Sequence, residues 1–150
     1  MDETPAELHG GEGGVNPTIE SIEALRATHR DGPVHMINLL KFKDVASYPD
    51  GHEHAGSTGA EAYNRYGQVA ITNVIGLGGR LVLAATFDAS VIGDPAEDWD
   101  QIAIVEYPDI DAFFALAGTD GYLDATEHRT AGLERTRLIA TTPVYEHGAD

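Results

Sequence analysis

The hydrophobic period of this chain changes repeatedly, and each change marks an element. From Pro33 to Lys43 apolar residues fall on both parities, with Val34, Met36, Leu40 and Phe42 on one and Ile37 and Leu39 on the other; Asn38 interrupts the first. Successive strand residues face opposite sides, so this stretch predicts a strand covered on both, by helices on one side and by a second sheet or a partner subunit on the other. Upstream, Asn16-Pro17 reads as a helix cap followed by proline at the first helical position, and Ile19, Ile22 and Leu25 keep helical spacing, which predicts a helix over 17–29 stopped by Gly32-Pro33. Downstream, Thr58 and Glu61 have capping-box spacing. Tyr63, Tyr66, Ala70, Val74 and Leu77 then keep one helical face apolar until Gly78-Gly79.

A second apolar strand is predicted over 80–92 and a third over 101–107, where Ala103, Val105 and Tyr107 oppose Ile102, Ile104 and Glu106. Pro108-Asp109 caps a helix with Ile110, Phe113, Phe114 and Ala117 as its buried stripe, a further helical segment spans 122–134, and a fourth strand spans 137–142. After the first helix the order is β-α-β-β-α-β. That order is the α+β, ferredoxin-like arrangement of a four-stranded antiparallel sheet with helices on one face. The divisions expected are a disordered tail over 1–15, an N-terminal helix over 16–31, the ferredoxin-like domain over 32–143 and a C-terminal tail over 144–150. The sheet face away from the helices stays rich in Ile, Leu and Val, which predicts a homodimer packed through those faces into a barrel-like assembly.

Composition narrows the partners. With 150 residues and no cysteine, the chain is one domain that needs neither disulfides nor thiolate metal sites. A formal charge of −16 opposes nucleic acid and anionic lipid, and no apolar run reaches the length of a membrane span. A cytoplasmic protein is expected, its acidic surface serving solubility or a saline habitat. The polar stretch 44–57 holds His52-Glu53-His54 and is long for a connection, as mobile segments and pocket lids are. Its histidine spacing matches no specific zinc pattern, so no metal is assigned to it. Nor is there a phosphate-cradling loop, dinucleotide fingerprint, nucleophile elbow or zincin helix, and no cofactor is expected.

An ordered set of short motifs resembles the family called domain of unknown function 1330. It comprises Met36-Ile37-Asn38-Leu39-Leu40-Lys41-Phe42-Lys43, Gly59-Ala60-Glu61-Ala62-Tyr63 with Tyr66-Gly67, Gly79-Arg80, Trp99-Asp100, Glu106-Tyr107-Pro108, and Tyr122 with His128-Arg129. The resemblance implies the dimeric α/β barrel superfamily, whose members include small monooxygenases, muconolactone isomerases and haem-binding proteins. It fixes no chemistry.

The residues suited to chemistry are few. Asn38, on an apolar strand face, must bond either to backbone or to a ligand. His128 titrates near neutrality and is the candidate acid or base, against a plain helix-surface role. Arg129 suits a carboxylate ligand, or an ion pair with Glu127, Glu134 or Glu106. Tyr66 offers a hydroxyl donor. Tyr63, Trp99, Glu106 and Tyr122 are the further candidates for ligand contact; for Tyr63 and Tyr66 the alternative is rings that fill the sheet–helix interface with hydroxyls on water or a carbonyl, and for Trp99 it is sealing the core edge. Two functions fit. One is a cofactor-independent oxygenase or isomerase acting on an oxygenated aromatic or lactone-like metabolite, with Asn38, Tyr66, His128 and Arg129 in its pocket; the other is a non-catalytic dimer that binds a metabolite or a protein.

Overall fold

The computed structural model describes residues 14–28 and 31–148. Four strands, β1 (Val34–Phe42), β2 (Arg80–Thr86), β3 (Gln101–Tyr107) and β4 (Leu133–Thr141), form one antiparallel sheet in the order β2-β3-β1-β4. The two-faced apolar strand is therefore central. Register sets Ile37 between Ile104 and Ile139, and Asn38 between Ala103 and Leu138. Since paired residues share a face, the even positions of β1 lie on one side with Ala103, Val105 and Leu138, and the odd positions lie on the other with Ile102, Ile104 and Ile139.

The even side is covered by helices α2 (Gly59–Gly76), α3 (Ile110–Ala115) and α4 (Tyr122–Gly132), with a 3₁₀ turn at Leu116–Gly118 joining the last two. This is the expected α+β, ferredoxin-like architecture. The capping box of α2 forms as read: Thr58 Oγ1 accepts from Glu61 N at 3.0 Å while the Glu61 carboxylate accepts from Thr58 N at 2.8 Å. The main core joins Val34 and Met36 to Val74, Tyr107, Ile110 and Leu116. A smaller cluster of Ala46, Tyr48, Ala62 and Ala131 pins the 44–57 loop against α2 and α4. That loop is irregular, yet Ala46 N donates to Ser57 O and Ser47 N to Ala131 O, each at 2.9 Å. It is a fastened flank and does not line the cavity described below.

Several boundaries differ from the sequence expectation. Helix α1 (Ile19–Ala27) is capped by Thr18 and not by Asn16, because Thr18 and Ser21 exchange side-chain to backbone bonds at 2.9 and 3.0 Å. Strand β2 stops at Thr86, six residues short of the expected end at Ile92. It is an edge strand, and its one partner β3 begins at Gln101 opposite Thr86; beyond that pair Val91 and Ile92 are 94% and 96% exposed. Strand β4 begins earlier than expected, at Leu133 directly after α4, with a register shift opposite Lys41 and Phe42. Most of the expected disordered tail, residues 1–13, lies outside the described residues.

Candidate functional site

Between the even side of the sheet and the helices lies a cavity of about 730 Å³. Its floor is Met36, Asn38 and Leu40 of β1 with Ala103 and Val105 of β3; its roof is Tyr63, Tyr66, Gly67 and Ala70 of α2 with Tyr122 and Arg129 of α4. The strand parity and the helical period that made these positions apolar in sequence point them at one another.

An amide, a group of phenols and a guanidinium interrupt this lining. Asn38 Nδ2 donates to the carbonyls of Ala103 at 3.2 Å and Met36 at 3.4 Å, which fixes the amide's orientation. Its Oδ1 accepts no hydrogen bond among the described residues. Tyr66 Oη and Tyr122 Oη share a hydrogen bond of 2.8 Å, their rings edge to face at 5.7 Å, and the Tyr63 ring leans on Tyr66 at 5.4 Å. Burial pushes the Tyr66 phenol well up and the Tyr63 phenol up, against the opposing pull of the Arg129 charge. Both stay neutral donors. The Arg129 guanidinium carbon lies 6.0 Å from the centre of the Tyr66 ring, and its Nη1 donates to Val15 O at 2.7 Å and Asn16 Oδ1 at 3.2 Å. None of the described lining residues is a histidine, aspartate, glutamate or lysine.

Of the sequence candidates, Asn38, Tyr63, Tyr66, Tyr122 and Arg129 converge on this cavity. His128 does not line it. One residue of helix turns a side chain by about 100°, and His128 faces the 44–57 loop, where its Nδ1 lies 2.7 Å from Tyr48 Oη. Arg65 Nη1 donates to the same phenol at 3.1 Å, His52 stacks on the Tyr48 ring at 4.5 Å, and the His54 ring is 5.6 Å from that of His128. Burial of the His128 ring pushes its pKa down, with His54, Arg65 and His52 acting in the same sense.

Glu106 and Trp99 are likewise elsewhere. Glu106 has the parity of Ile104 and faces the open side of the sheet, 2.8 Å from His35 Nε2 and paired with Arg80. Burial alone would raise its carboxyl, but the bonds from His35 and Arg80 outweigh that and hold it below the usual range. Glu146 joins the group through Arg80 and lies 3.8 Å from His35. These three residues could offer a metal one imidazole and two carboxylates within 4.8 Å, but the Arg80 guanidinium already bridges both acids. Trp99, 7% exposed, lies beneath the guanidinium groups of Arg135 and Arg137 at 4.7 and 5.5 Å. Val15 carries no periodic signal in the sequence and Asn16 reads there only as a helix cap; the fold places both beside Arg129.

A β2-β3-β1-β4 sheet with helices on one face and a ligand-sized cavity between them defines a ferredoxin-like α+β protein. No family model and no curated protein sequence matches the chain. It belongs to the family of the RPA0582 protein, a protein of unknown function from Rhodopseudomonas palustris: a crystal structure of that protein is 38% identical over 89% of this chain and 99% of that one, with a TM-score of 0.80. The methylated form of the same protein is 39% identical over 91% of this chain and 98% of that one, again at 0.80. SnoaB, a cofactor-independent oxygenase from Streptomyces nogalater, is 17% identical over 79% of this chain and 99% of that one, with a TM-score of 0.47, a likeness too distant to carry chemistry across.

Proposed function

We propose that the protein is a homodimer, of the family called domain of unknown function 1330, that binds a small ring-bearing molecule in the cavity between sheet and helices. The observation that carries this reading is the cavity's make-up. Its volume of about 730 Å³ suits a molecule of two or three rings, and aliphatic and aromatic walls surround a few converging donors and acceptors, as in small-molecule sites generally. Asn38 supplies an oriented acceptor, and the Tyr66 and Tyr122 pair supplies a donor.

A cofactor-independent oxygenase or isomerase is the second reading, and the phenol pair favours it. Two part-buried hydroxyls hydrogen-bonded to each other, with burial pushing the Tyr66 phenol well up, can stabilise a developing enolate or phenolate oxygen. Proton abstraction by His128 is no part of it, because that ring is engaged on the other flank of α4. The dimer is supported by the open face, where Ile37, Leu39, Ile102 and Ile104 are surrounded by Leu83 and Ile139, each 47% exposed.

The test is a titration with phenylnaphthylamine, a neutral fluorescent two-ring probe. Saturable binding of one probe per chain is expected, lost in Gly67→Leu, since a Cβ at Gly67 meets nothing within 4 Å and a longer side chain there would fill the cavity. Absence of saturable binding, or binding untouched by Gly67→Leu, overturns the reading.

A further inference from the structure

Among the described residues Arg129 is the one charged side chain in the cavity lining, in a chain whose net charge is −16 with 25 aspartates and glutamates. Elsewhere among the described residues Lys41 and Arg135 both pair with Asp98 and Arg80 pairs with Glu106, while Lys43, Arg65 and Arg137 bond to neutral oxygens away from this cavity. Arg129 forms no ion pair among the described residues. Its Nη1 bonds only to two neutral acceptors, Val15 O and Asn16 Oδ1. A guanidinium is shaped for two parallel bonds to an oxyanion, and such charge-assisted bonds are roughly twice as strong as bonds to neutral oxygens.

Those two acceptors belong to a weakly held strap. The segment 14–18 has no regular structure, and α1, which follows it, has no fully buried residue. Leu25 rests against the core, and the Arg26 guanidinium sits 3.9 Å above the Phe114 ring. Beneath the strap is a second cavity of about 790 Å³, which shares Asn16, Met36, Arg129 and Leu138 with the first. Segments with so little buried apolar contact open at low free-energy cost.

We propose that the ligand is a monoanion, an apolar ring system bearing one carboxylate or sulfonate, whose acidic end takes Arg129 Nη1 in place of the Val15 carbonyl and the Asn16 amide. This rests on the cavity being the ligand site and adds the charge of what fills it. The strap is then a placeholder. It satisfies the guanidinium when the site is empty and yields it to a stronger acceptor, while the buried phenols of Tyr63 and Tyr66, being neutral, do not compete for the cation.

Two probes of similar size and opposite character test it: anilinonaphthalene sulfonate, which is anionic, and phenylnaphthylamine, which is neutral. In the native protein both bind once per chain. Arg129→Gln weakens the anionic probe by about tenfold or more, the loss of one charge-assisted contact, and leaves the neutral probe within about twofold. Asn16→Asp does the same by giving Arg129 an internal carboxylate, and it decides the matter if Arg129→Gln does not fold. If the anionic probe is unaffected by both substitutions, or both probes weaken together, the anion proposal is overturned and the cavity reading stands. If neither probe binds the native protein, the cavity reading itself falls.

Discussion

Two adjacent residues, His128 and Arg129, sit on one turn of α4 and serve opposite flanks, the first held by Tyr48 and the second aimed at the cavity. Their chemistry was legible in the sequence as residue types; their directions were not, because α4 lacks a strong apolar stripe to fix its rotation. The His128 environment makes a pH prediction. Its imidazole is pushed below the ordinary 6.5 by burial, so the folded state takes up the proton less readily than the unfolded chain. The resulting stability is fully present above pH 6.5 and is lost as pH falls through the lowered folded value. In a proton NMR titration the His128 ring should move with a midpoint below 6.5, and the melting temperature should fall on acidification with a slope that His128→Gln reduces; a midpoint at or above 6.5 would contradict the burial argument. Tyr48 is 8% exposed and its hydroxyl meets both Arg65 and His128. Tyr48→Phe should therefore cost about 1–3 kcal/mol in urea unfolding, through the polar partners it leaves unsatisfied.

At the scale of elements, the central strand and the α2 capping box were fully readable, because each is a local pattern. The ends of β2 and β4 were not, because they depend on where a neighbouring strand stops. The meeting of α2, α4 and the end of β1 was also invisible in sequence. There Gly59 N donates to Lys43 O at 2.9 Å and Lys43 N donates to Gly132 O at 2.8 Å. A Cβ at Gly59 would collide with the Lys43 backbone and come within 2.6 Å of Gly132 O. Gly59→Ala should accordingly cost about 3 kcal/mol or more in chemical denaturation, as overpacking against backbone does. Gly67, in the middle of the same helix, faces open space, and Gly67→Ala should stabilise by about 0.5–1 kcal/mol through helix propensity. An equal response at the two glycines would mean the crossing is looser than described.

For the whole molecule, the sheet has one face under helices and one face open, with an ion-pair group at each end of the open face: His35, Arg80, Glu106 and Glu146 at one, Lys41, Asp98 and Arg135 at the other. The proposed association through the apolar centre would bring together two chains that each carry −16, so salt should tighten it. Sedimentation at micromolar concentration is expected to give the mass of two chains, more firmly at high NaCl, and Ile104→Glu should give one chain. A native protein that sediments as a monomer at every salt concentration would remove the dimer. No helix among the described residues is long and apolar enough to cross a membrane.

The alternation along β1 has a consequence for how this gene can change. Asn38 belongs to the cavity and its neighbours Ile37 and Leu39 belong to the open face, so the strand carries two interleaved sets of instructions, one per parity. Inserting or deleting one codon there would exchange the sets beyond that point, turning the amide outward and isoleucine into the cavity. The 44–57 loop, pinned at Ala46 and Tyr48, keeps its exposed tip at Asp50-Gly51 free of that constraint. Among relatives, length variation should therefore collect at the loop tip, while β1 changes by substitution alone.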